Sequence, residues 1–176
     1  GNLEQLNWLQ GVGIAWSPDD RHITFSAKTG ARDALHVVNT KTGEITRTIT
    51  PDLDAVYNPS WKPDGTEIAF MGIFHGRSDI YAYNLDSNDL RKITDDIFSD
   101  IEPRWSPDGT KIAFASDRSG NFEIWLMDAD GSDQRNLTYA SVFVPEEVNE
   151  RPTWSPDGST LLFSRGFGIT TELYKI

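Results

Sequence analysis

The phrase Trp-Ser-Pro-Asp-Gly occurs four times, with small changes, in this chain of 176 residues. The copies read AWSPDDRHITF, SWKPDGTEIAF, RWSPDGTKIAF and TWSPDGSTLLF, and they contain Trp16, Trp61, Trp105 and Trp154. These tryptophans lie 45, 44 and 49 residues apart, a period that is typical of a repeated supersecondary unit. The chain must therefore fold as several copies of one small unit.

Each copy predicts a β-hairpin, because proline presets the first turn position, aspartate tolerates the second and glycine takes a left-handed conformation. Short apolar runs follow as predicted second strands (HITFSA, EIAFMG, KIAFAS, TLLFSR) and third strands (LHVVN, DIYAYN, EIWLMD, ELYKI). Fourth strands are predicted in EITRTIT, DLRKIT and DQRNLT. Each unit is thus expected to be a four-stranded antiparallel meander.

Strands that are apolar on both sides must be covered on both sides, which a radial stack of sheets achieves. We therefore predict an all-β, four-bladed β-propeller in a single domain, 1–176. The expected blades are about 8–50, 51–94, 95–138, and 139–176 together with 1–7.

The last copy ends after its third strand, and the segment LEQLN at Leu3–Asn7 matches the missing fourth strand. We expect this segment to complete the last blade and close the ring in one chain, which would then be a monomer. The alternative is that two chains join into a larger ring.

The composition of the chain indicates which classes of partner it can bind. The chain has 16 Lys and Arg against 27 Asp and Glu, a net charge of −11, which argues against a nucleic-acid partner. No apolar run is long enough to predict membrane insertion, and the first fifteen residues do not read as a signal peptide.

The segment PRWSPDGTKIAFASDRSGNFEIWLMDADGSDQRNLT resembles the repeat of the TolB-like, or WD-like, propeller family. The resemblance implies a binding or scaffolding module with a protein or peptide partner, in a periplasmic or extracellular location. The family includes a periplasmic six-bladed propeller that binds a peptidoglycan-associated lipoprotein and a colicin peptide. Gating propellers of prolyl-oligopeptidase-like peptidases are also similar.

The sequence does not contain the usual catalytic motifs. It has neither a Gly-x-Ser-x-Gly elbow nor an HExxH pair, and its three histidines do not have metal-ligand spacing. We therefore expect a non-enzymatic module. The alternatives are a gating or accessory propeller of a larger hydrolase, and a carbohydrate-active propeller.

Variable loops on a repeated scaffold are where recognition is usually built. The second-to-third-strand hairpins and the between-blade segments should lie together at one end, here called the loop-rich end. Its candidate partner-binding residues are Phe74, His75, Arg77, Val142, Phe143, Val144 and Phe167. An equally weighted interpretation is that the apolar residues among them plug the channel. The four repeat tryptophans are interpreted as packing anchors.

A second candidate site is the mouth of the central channel. Gly13, Asn58, Glu102 and Glu150 come shortly before the four tryptophans and should surround the channel entrance. Two carboxylates held close together repel unless they are protonated, hydrated or neutralised by a cation. We therefore expect a Ca²⁺ ion, a Na⁺ ion or a chain of water molecules near Glu102 and Glu150, although no cofactor is required.

Overall fold

The computed structural model describes residues 13–30, 32–139, 147–167 and 170–176. In these residues the chain forms fifteen β-strands and no helix. Sheets 1 and 2 contain β1 (Ile14–Trp16), β2 (His22–Thr29), β3 (Arg32–Asn39), β4 (Ile45–Ile49), β5 (Ala55–Trp61), β6 (Glu67–Phe74), β7 (Arg77–Asn84) and β8 (Leu90–Lys92). Sheets 3 and 4 contain β9 (Asp100–Trp105), β10 (Lys111–Ser116), β11 (Glu123–Asp128), β12 (Arg135–Asn136), β13 (Val148–Trp154), β14 (Leu161–Phe167) and β15 (Thr170–Lys175).

Each sheet is an antiparallel meander whose strands pair in chain order. Sheets 1 to 3 have four strands, and the described part of sheet 4 has three. The predicted all-β architecture of antiparallel sheets is confirmed. The predicted fourth strands are shorter than expected, since β12 contains only two residues. Among the described residues, no helix has the length and apolar character needed to cross a bilayer.

The repeated phrase folds as a tight hairpin held by its own side chains. In the third copy Gly109 has φ of 70° and donates its N–H to the carbonyl of Ser106. The hydroxyl of Ser106 donates to Asp108 at 2.6 Å and accepts the N–H of Lys111 at 3.0 Å. Hydrogen bonds from the side chains of Ser106 and then Thr110, and from the backbone N–H of Thr110, lower the pKa of Asp108 to about 2. Serine, aspartate and glycine in this phrase are therefore explained by the turn.

Consecutive sheets pack face to face through alternating residues. In β6, Ile68 and Phe70 lie in the apolar cluster shared with sheet 1, whereas Ala69 lies in the cluster shared with sheet 3. We call the side facing the preceding sheet the leading face, and the side facing the next sheet the trailing face. A similar division recurs in β10, where Phe114 faces sheet 2 and Ala113 faces sheet 4.

The tryptophans extend this packing with hydrogen bonds to the preceding sheet. The indole N–H of Trp61 donates to the hydroxyl of Thr24 at 2.9 Å, and that of Trp154 donates to the carbonyl of Arg104 at 3.1 Å. Trp105, in the middle of the stack, is only 6% exposed. Its backbone N–H donates to the hydroxyl of Ser60 at 3.1 Å. Three of the four tryptophans therefore fasten one sheet to the one before it.

The two outer faces of the stack are uncovered among the described residues. The three apolar clusters lie between consecutive sheets, and none joins sheet 4 to sheet 1. Trp16, which was expected to be an anchor, is 60% exposed. On the other outer face Leu173 is 79% exposed, whereas Ile80 and Ile124, its equivalents in sheets 2 and 3, are fully buried. A closed ring is not formed by these residues, and the predicted closing strand at Leu3–Asn7 lies outside them.

Candidate functional site

The first strand of sheets 2, 3 and 4 carries an irregularity at the predicted channel mouth. Regular pairing is interrupted between Tyr57 and Ser60 in β5, and again between Glu150 and Thr153 in β13. Asn58, Glu102 and Arg151 adopt left-handed φ angles of 52°, 56° and 57°. Such angles are uncommon for residues with a side chain. This bulge turns the chain at the same place in each first strand.

Equivalent mouth positions of neighbouring sheets touch each other. The N–H of Gly13 donates to the side-chain oxygen of Asn58 at 3.2 Å, and the N–H of Arg151 donates to Oε2 of Glu102 at 2.6 Å. A Cβ atom added to Gly13 would lie 3.0 Å from the Cα of Asn58. First strands of adjacent sheets therefore approach closely at this position.

In β13 the residue equivalent to Asn58 and Glu102 is Arg151, which directly follows Glu150. Glu150 pairs with Ser164 before the bulge, as Tyr57 pairs with Met71. The left-handed residue is Arg151, which is also the residue at the same distance from its tryptophan as Asn58 and Glu102. The repeat therefore places a cation where the sequence interpretation placed a carboxylate.

Glu150 still lies near the mouth, and its environment is unfavourable for a negative charge. Burial and, to a smaller extent, the charge of Glu102 raise the pKa of Glu150, while Arg151 opposes the shift. The half-buried Arg104 lies in the same region, and burial lowers the pKa of its guanidinium while Glu102 raises it. Nη1 of Arg104 donates to the carbonyl of Pro103 at 2.8 Å. The mouth thus combines two carboxylates with two guanidinium groups.

Arg104 was not singled out in the sequence. The signal was present, because the residue before the tryptophan is Ala15, Ser60 and Thr153 in the other copies. As for a metal ion, the described parts of the chain contain no group of three or more His, Asp or Glu side chains arranged to hold one. The channel ion stays a prediction.

The loop-rich end presents an aromatic hairpin tip. The rings of Phe74 and His75 stack with centroids 4.1 Å apart and an interplanar angle of 15°. His75 has a left-handed φ of 50°, and its N–H donates to Asp54 at 2.7 Å. Phe74 is exposed at the end of β6 and Arg77 begins β7. Three of the predicted partner-binding residues therefore lie together on one hairpin.

The segment between sheets 2 and 3 adds two exposed apolar residues that the sequence interpretation missed. Ile97 is 75% exposed and Phe98 is partly exposed. Hydrogen bonding and charge from Lys92 and, to a smaller extent, the charge of Arg77 lower the pKa of Asp95 in this segment. Tyr139, which follows sheet 3, is a further exposed aromatic residue.

Charged side chains fix this segment on both sides. Nζ of Lys92 lies 2.5 Å from Oδ1 of Asp95, and Nη2 of Arg118 lies 3.2 Å from Oδ2 of Asp96. The N–H of Ser99 donates to Asp117 at 2.8 Å. The exposed Ile97 and Phe98 are therefore carried by a segment anchored to the sheets. Of the remaining candidates, Val142, Phe143 and Val144 lie outside the described residues, and Phe167 is the last residue of β14.

A family model described as TolB beta propeller domain matches residues 12–175. The chain belongs to this family. The resemblance inferred from the repeated phrase is thereby confirmed, and it covers almost the whole chain.

Relatives of known name agree with this assignment. The Tol-Pal system protein TolB of Francisella tularensis subsp. mediasiatica is 36% identical over 81 residues, which cover 44% of this chain and 18% of that protein. The crystal structure of TolB from Acinetobacter baumannii matches with a TM-score of 0.77 and 28% identity, over 93% of this chain and 40% of that one. This chain thus spans well under half the length of either TolB.

The same fold occurs in an enzyme. The oligogalacturonate lyase from Vibrio parahaemolyticus matches with a TM-score of 0.68 and 20% identity, over 93% of this chain and 49% of that one. At this level of identity the likeness shows the fold alone.

Proposed function

We propose that the chain is a non-enzymatic binding module that takes a protein or peptide at its loop-rich end. The observation that carries this proposal is the aromatic tip of Phe74 and His75, together with the exposed Ile97 and Phe98 on the segment between sheets 2 and 3. Exposed apolar side chains on loops of a rigid scaffold are a frequent feature of protein interaction sites. Salt bridges and backbone hydrogen bonds already hold the segment, so binding would order few groups and lose little entropy.

The membership of the TolB propeller family supports the same function. The name of the Francisella relative places that protein in a Tol-Pal system. For the present chain we propose a partner of the same class, a protein or an extended peptide, with the channel mouth of Glu102, Arg104, Glu150 and Arg151 as the polar continuation of the apolar patch. The mixed charges there suit the backbone and termini of a peptide.

A peptide display experiment tests this proposal with a defined probe. Peptides selected against the whole chain are labelled and titrated against Phe74→Ser and Ile97→Ser, and we expect a loss of affinity of about tenfold or more for each. Leu90→Ser is the matched control, because Leu90 is also exposed but begins β8 at the opposite end of its sheet. The proposal would be contradicted if only Leu90→Ser lowered the affinity for the selected peptides, or if no peptide were enriched.

The enzymatic alternative is a gating or accessory propeller of a hydrolase, or a carbohydrate-active propeller. The likeness to a lyase shows that this fold can occur in an enzyme, but it does not support any catalytic chemistry for this chain. Incubation of the chain with oligogalacturonate tests the carbohydrate-active alternative, since product formation that is lost in Glu150→Gln would favour an enzyme. We expect no turnover.

A bound Ca²⁺ or Na⁺ ion at the channel mouth is the remaining part of the proposal. The closeness of Glu102 to Glu150, which contributes to the raised pKa of Glu150, supports it. We expect added calcium to raise the melting temperature of the protein and Glu102→Gln to reduce this effect. A melting temperature that responds neither to calcium nor to a chelator would remove the ion from the proposal.

Two completions of the propeller follow from the sequence. One is a ring closed within one chain by Leu3–Asn7, supported by the match of that segment to the fourth strands of the other repeats. The other is a ring made by two chains. Light scattering separates them, because the first predicts the 19.8 kDa of one chain and the second predicts twice that mass.

A further inference from the structure

The loop-rich ends of sheets 2 and 3 are built from equivalent positions that carry different residues. The strand register makes three pairs equivalent: Val56 and Asp100, Gly72 and Ser116, Tyr81 and Trp125. Leu53 and Ile97 each precede the first of these pairs by three residues. They are therefore the same residue of the repeat, yet Leu53 is half-buried and Ile97 is 75% exposed.

In sheet 2 the side chain of Leu53 covers an aromatic ring. A Cβ atom added to Gly72 would lie 2.6 Å from Cδ1 of Leu53 and 2.6 Å from Cδ2 of Tyr81. Leu53 thus packs over Gly72 and against Tyr81, in the apolar cluster that sheet 2 shares with sheet 1. A glycine in a strand often marks such a close approach.

In sheet 3 an arginine covers the equivalent ring. Cζ of Arg118 lies 4.8 Å from the ring centroid of Trp125 and 5.4 Å from that of Phe114. Nε of Arg118 donates to the hydroxyl of Ser116 at 2.8 Å, at the position where sheet 2 has a glycine. The guanidinium occupies the space over the ring, so Ile97 cannot pack there and remains in solvent.

Sheet 4 shows that a guanidinium over this ring is a recurring solution. Cζ of Arg165 lies 4.5 Å from the ring centroid of Tyr174 and 5.7 Å from that of Phe163. Arg165 pairs with Asn149, and its Nε donates to the side-chain oxygen of Asn149 at 2.8 Å. The aromatic ring at this end of a sheet is thus covered by a leucine in one sheet and by an arginine in the next two.

The charges around the Ile97 segment define the kind of partner that it suits. Two cations each lie between two carboxylates: Arg118 between Asp100 and Asp96, and Lys92 between Asp79 and Asp95. One carboxylate of each group is buried, at 0% and 2% exposure, and the other is 34% or 82% exposed. Four carboxylates against two cations leave a net charge of −2 beside Ile97. Complementary charge favours a partner that carries Lys or Arg next to an apolar side chain.

We infer that Arg118 holds Ile97 outside the sheets as a contact residue for a peptide or protein segment in which Lys or Arg flanks an apolar side chain. Arg118 is a positioning residue, because it acts through Ile97 and does not itself meet the partner. The partner class rests on the proposed function, whereas the placement of Ile97 by Arg118 does not.

Cysteine labelling tests the placement without any partner. The chain contains no cysteine, so Ile97→Cys and Leu53→Cys each provide a single thiol. Iodoacetamide should modify Ile97→Cys about tenfold faster than Leu53→Cys. Adding Asp100→Val, Ser116→Gly and Arg118→Ala, which copies the sheet 2 residues and removes the guanidinium, should slow the labelling of Ile97→Cys about tenfold.

Controls separate this effect from unfolding. Gln134→Ala removes another hydrogen-bond partner of Arg118 but leaves the guanidinium over the ring, so it should not change the labelling of Ile97→Cys. If circular dichroism shows that the triple substitution unfolds the chain, Arg118→Ala with Asp100→Asn is labelled instead. Equal rates for Ile97→Cys and Leu53→Cys in the otherwise unchanged chain, or an unchanged rate for Ile97→Cys in a folded variant without Arg118, would overturn the placement.

Two peptide display libraries test the partner class. Both have the same random apolar core, which is flanked by Lys in one library and by Glu in the other. The whole chain should enrich peptides from the lysine library, and Ile97→Ser should lower their affinity about tenfold. Their affinity should also fall as salt is added. Enrichment mainly from the glutamate library, or lysine peptides that are insensitive to Ile97→Ser, would overturn the partner class. Enrichment from neither library would contradict the proposed function as well, and the labelling rates would still decide whether Arg118 places Ile97.

Discussion

Truncation of Trp16 and Trp105 to alanine measures how much of the stability comes from contact with a preceding sheet. Trp105 is 6% exposed and Trp16 is 60% exposed, although both occupy the same place in the repeat. Removal of a buried tryptophan costs about 3–5 kcal/mol. Because the hydrophobic contribution scales with the apolar area removed from water, Trp16→Ala should cost roughly 1–2 kcal/mol in a single chain. The expected difference between the two variants is therefore about 2–3 kcal/mol.

Urea denaturation followed by circular dichroism gives both free energies of unfolding. Both substitutions are made singly in the otherwise unchanged chain. Equal losses for Trp16→Ala and Trp105→Ala would refute the reasoning. Such a result would mean that one chain covers Trp16 by itself, as a ring closed by residues 3–7 would do.

Two further predictions concern charged groups. Arg118→Met should lower the free energy of unfolding by about 3–5 kcal/mol at neutral pH, because Nη2 of Arg118 lies 2.8 Å from both carboxylate oxygens of the fully buried Asp100. Denaturant titration measures this loss, and the double variant with Asp100→Asn should recover part of it. A loss under about 1 kcal/mol would contradict the prediction. Asp108→Asn should make stability less sensitive to acid, because hydrogen bonds from Ser106 and then Thr110 lower the pKa of Asp108 to about 2 in the folded protein. The stability that ionised Asp108 contributes is fully present above the unfolded pKa of about 3.9 and is lost as the pH falls through the folded pKa. If Asp108→Asn leaves the pH dependence of the melting temperature between about pH 4 and about pH 2 unchanged, the prediction is wrong.

The repeated phrase was sufficient to predict the sheets and their hairpins, because each prediction concerned residues close in sequence. Proline, aspartate and glycine specify the turn locally, and Gly65, Gly109 and Gly158 all have left-handed φ angles. The packing of the sheets followed from strands that are apolar on both faces. Features that repeat with the period of the sheets were therefore accessible from the sequence.

Features that do not recur with the period of the repeat could not be predicted from the sequence. The left-handed bulge position of β13 does keep the period, because Arg151 lies three residues before Trp154 as Glu102 does before Trp105, and Glu150 precedes it by one residue. Ile97 and Phe98 were missed because the segments between sheets do not resemble one another and their exposure depends on which charged residues hold them.

The exposure of Trp16 shows why a repeat alone does not determine how a propeller is completed. Four similar phrases place four tryptophans on leading faces, but burial of each one requires a preceding sheet, and the sequence does not specify in which molecule that sheet lies. The contacts between consecutive sheets define what the missing contact must contain: small or apolar side chains, a hydroxyl for the backbone N–H and a carbonyl for the indole. Thr153, Leu162 and Leu173 meet these requirements, and Leu162 is larger than Thr24, Ala69 and Ala113 at the same position.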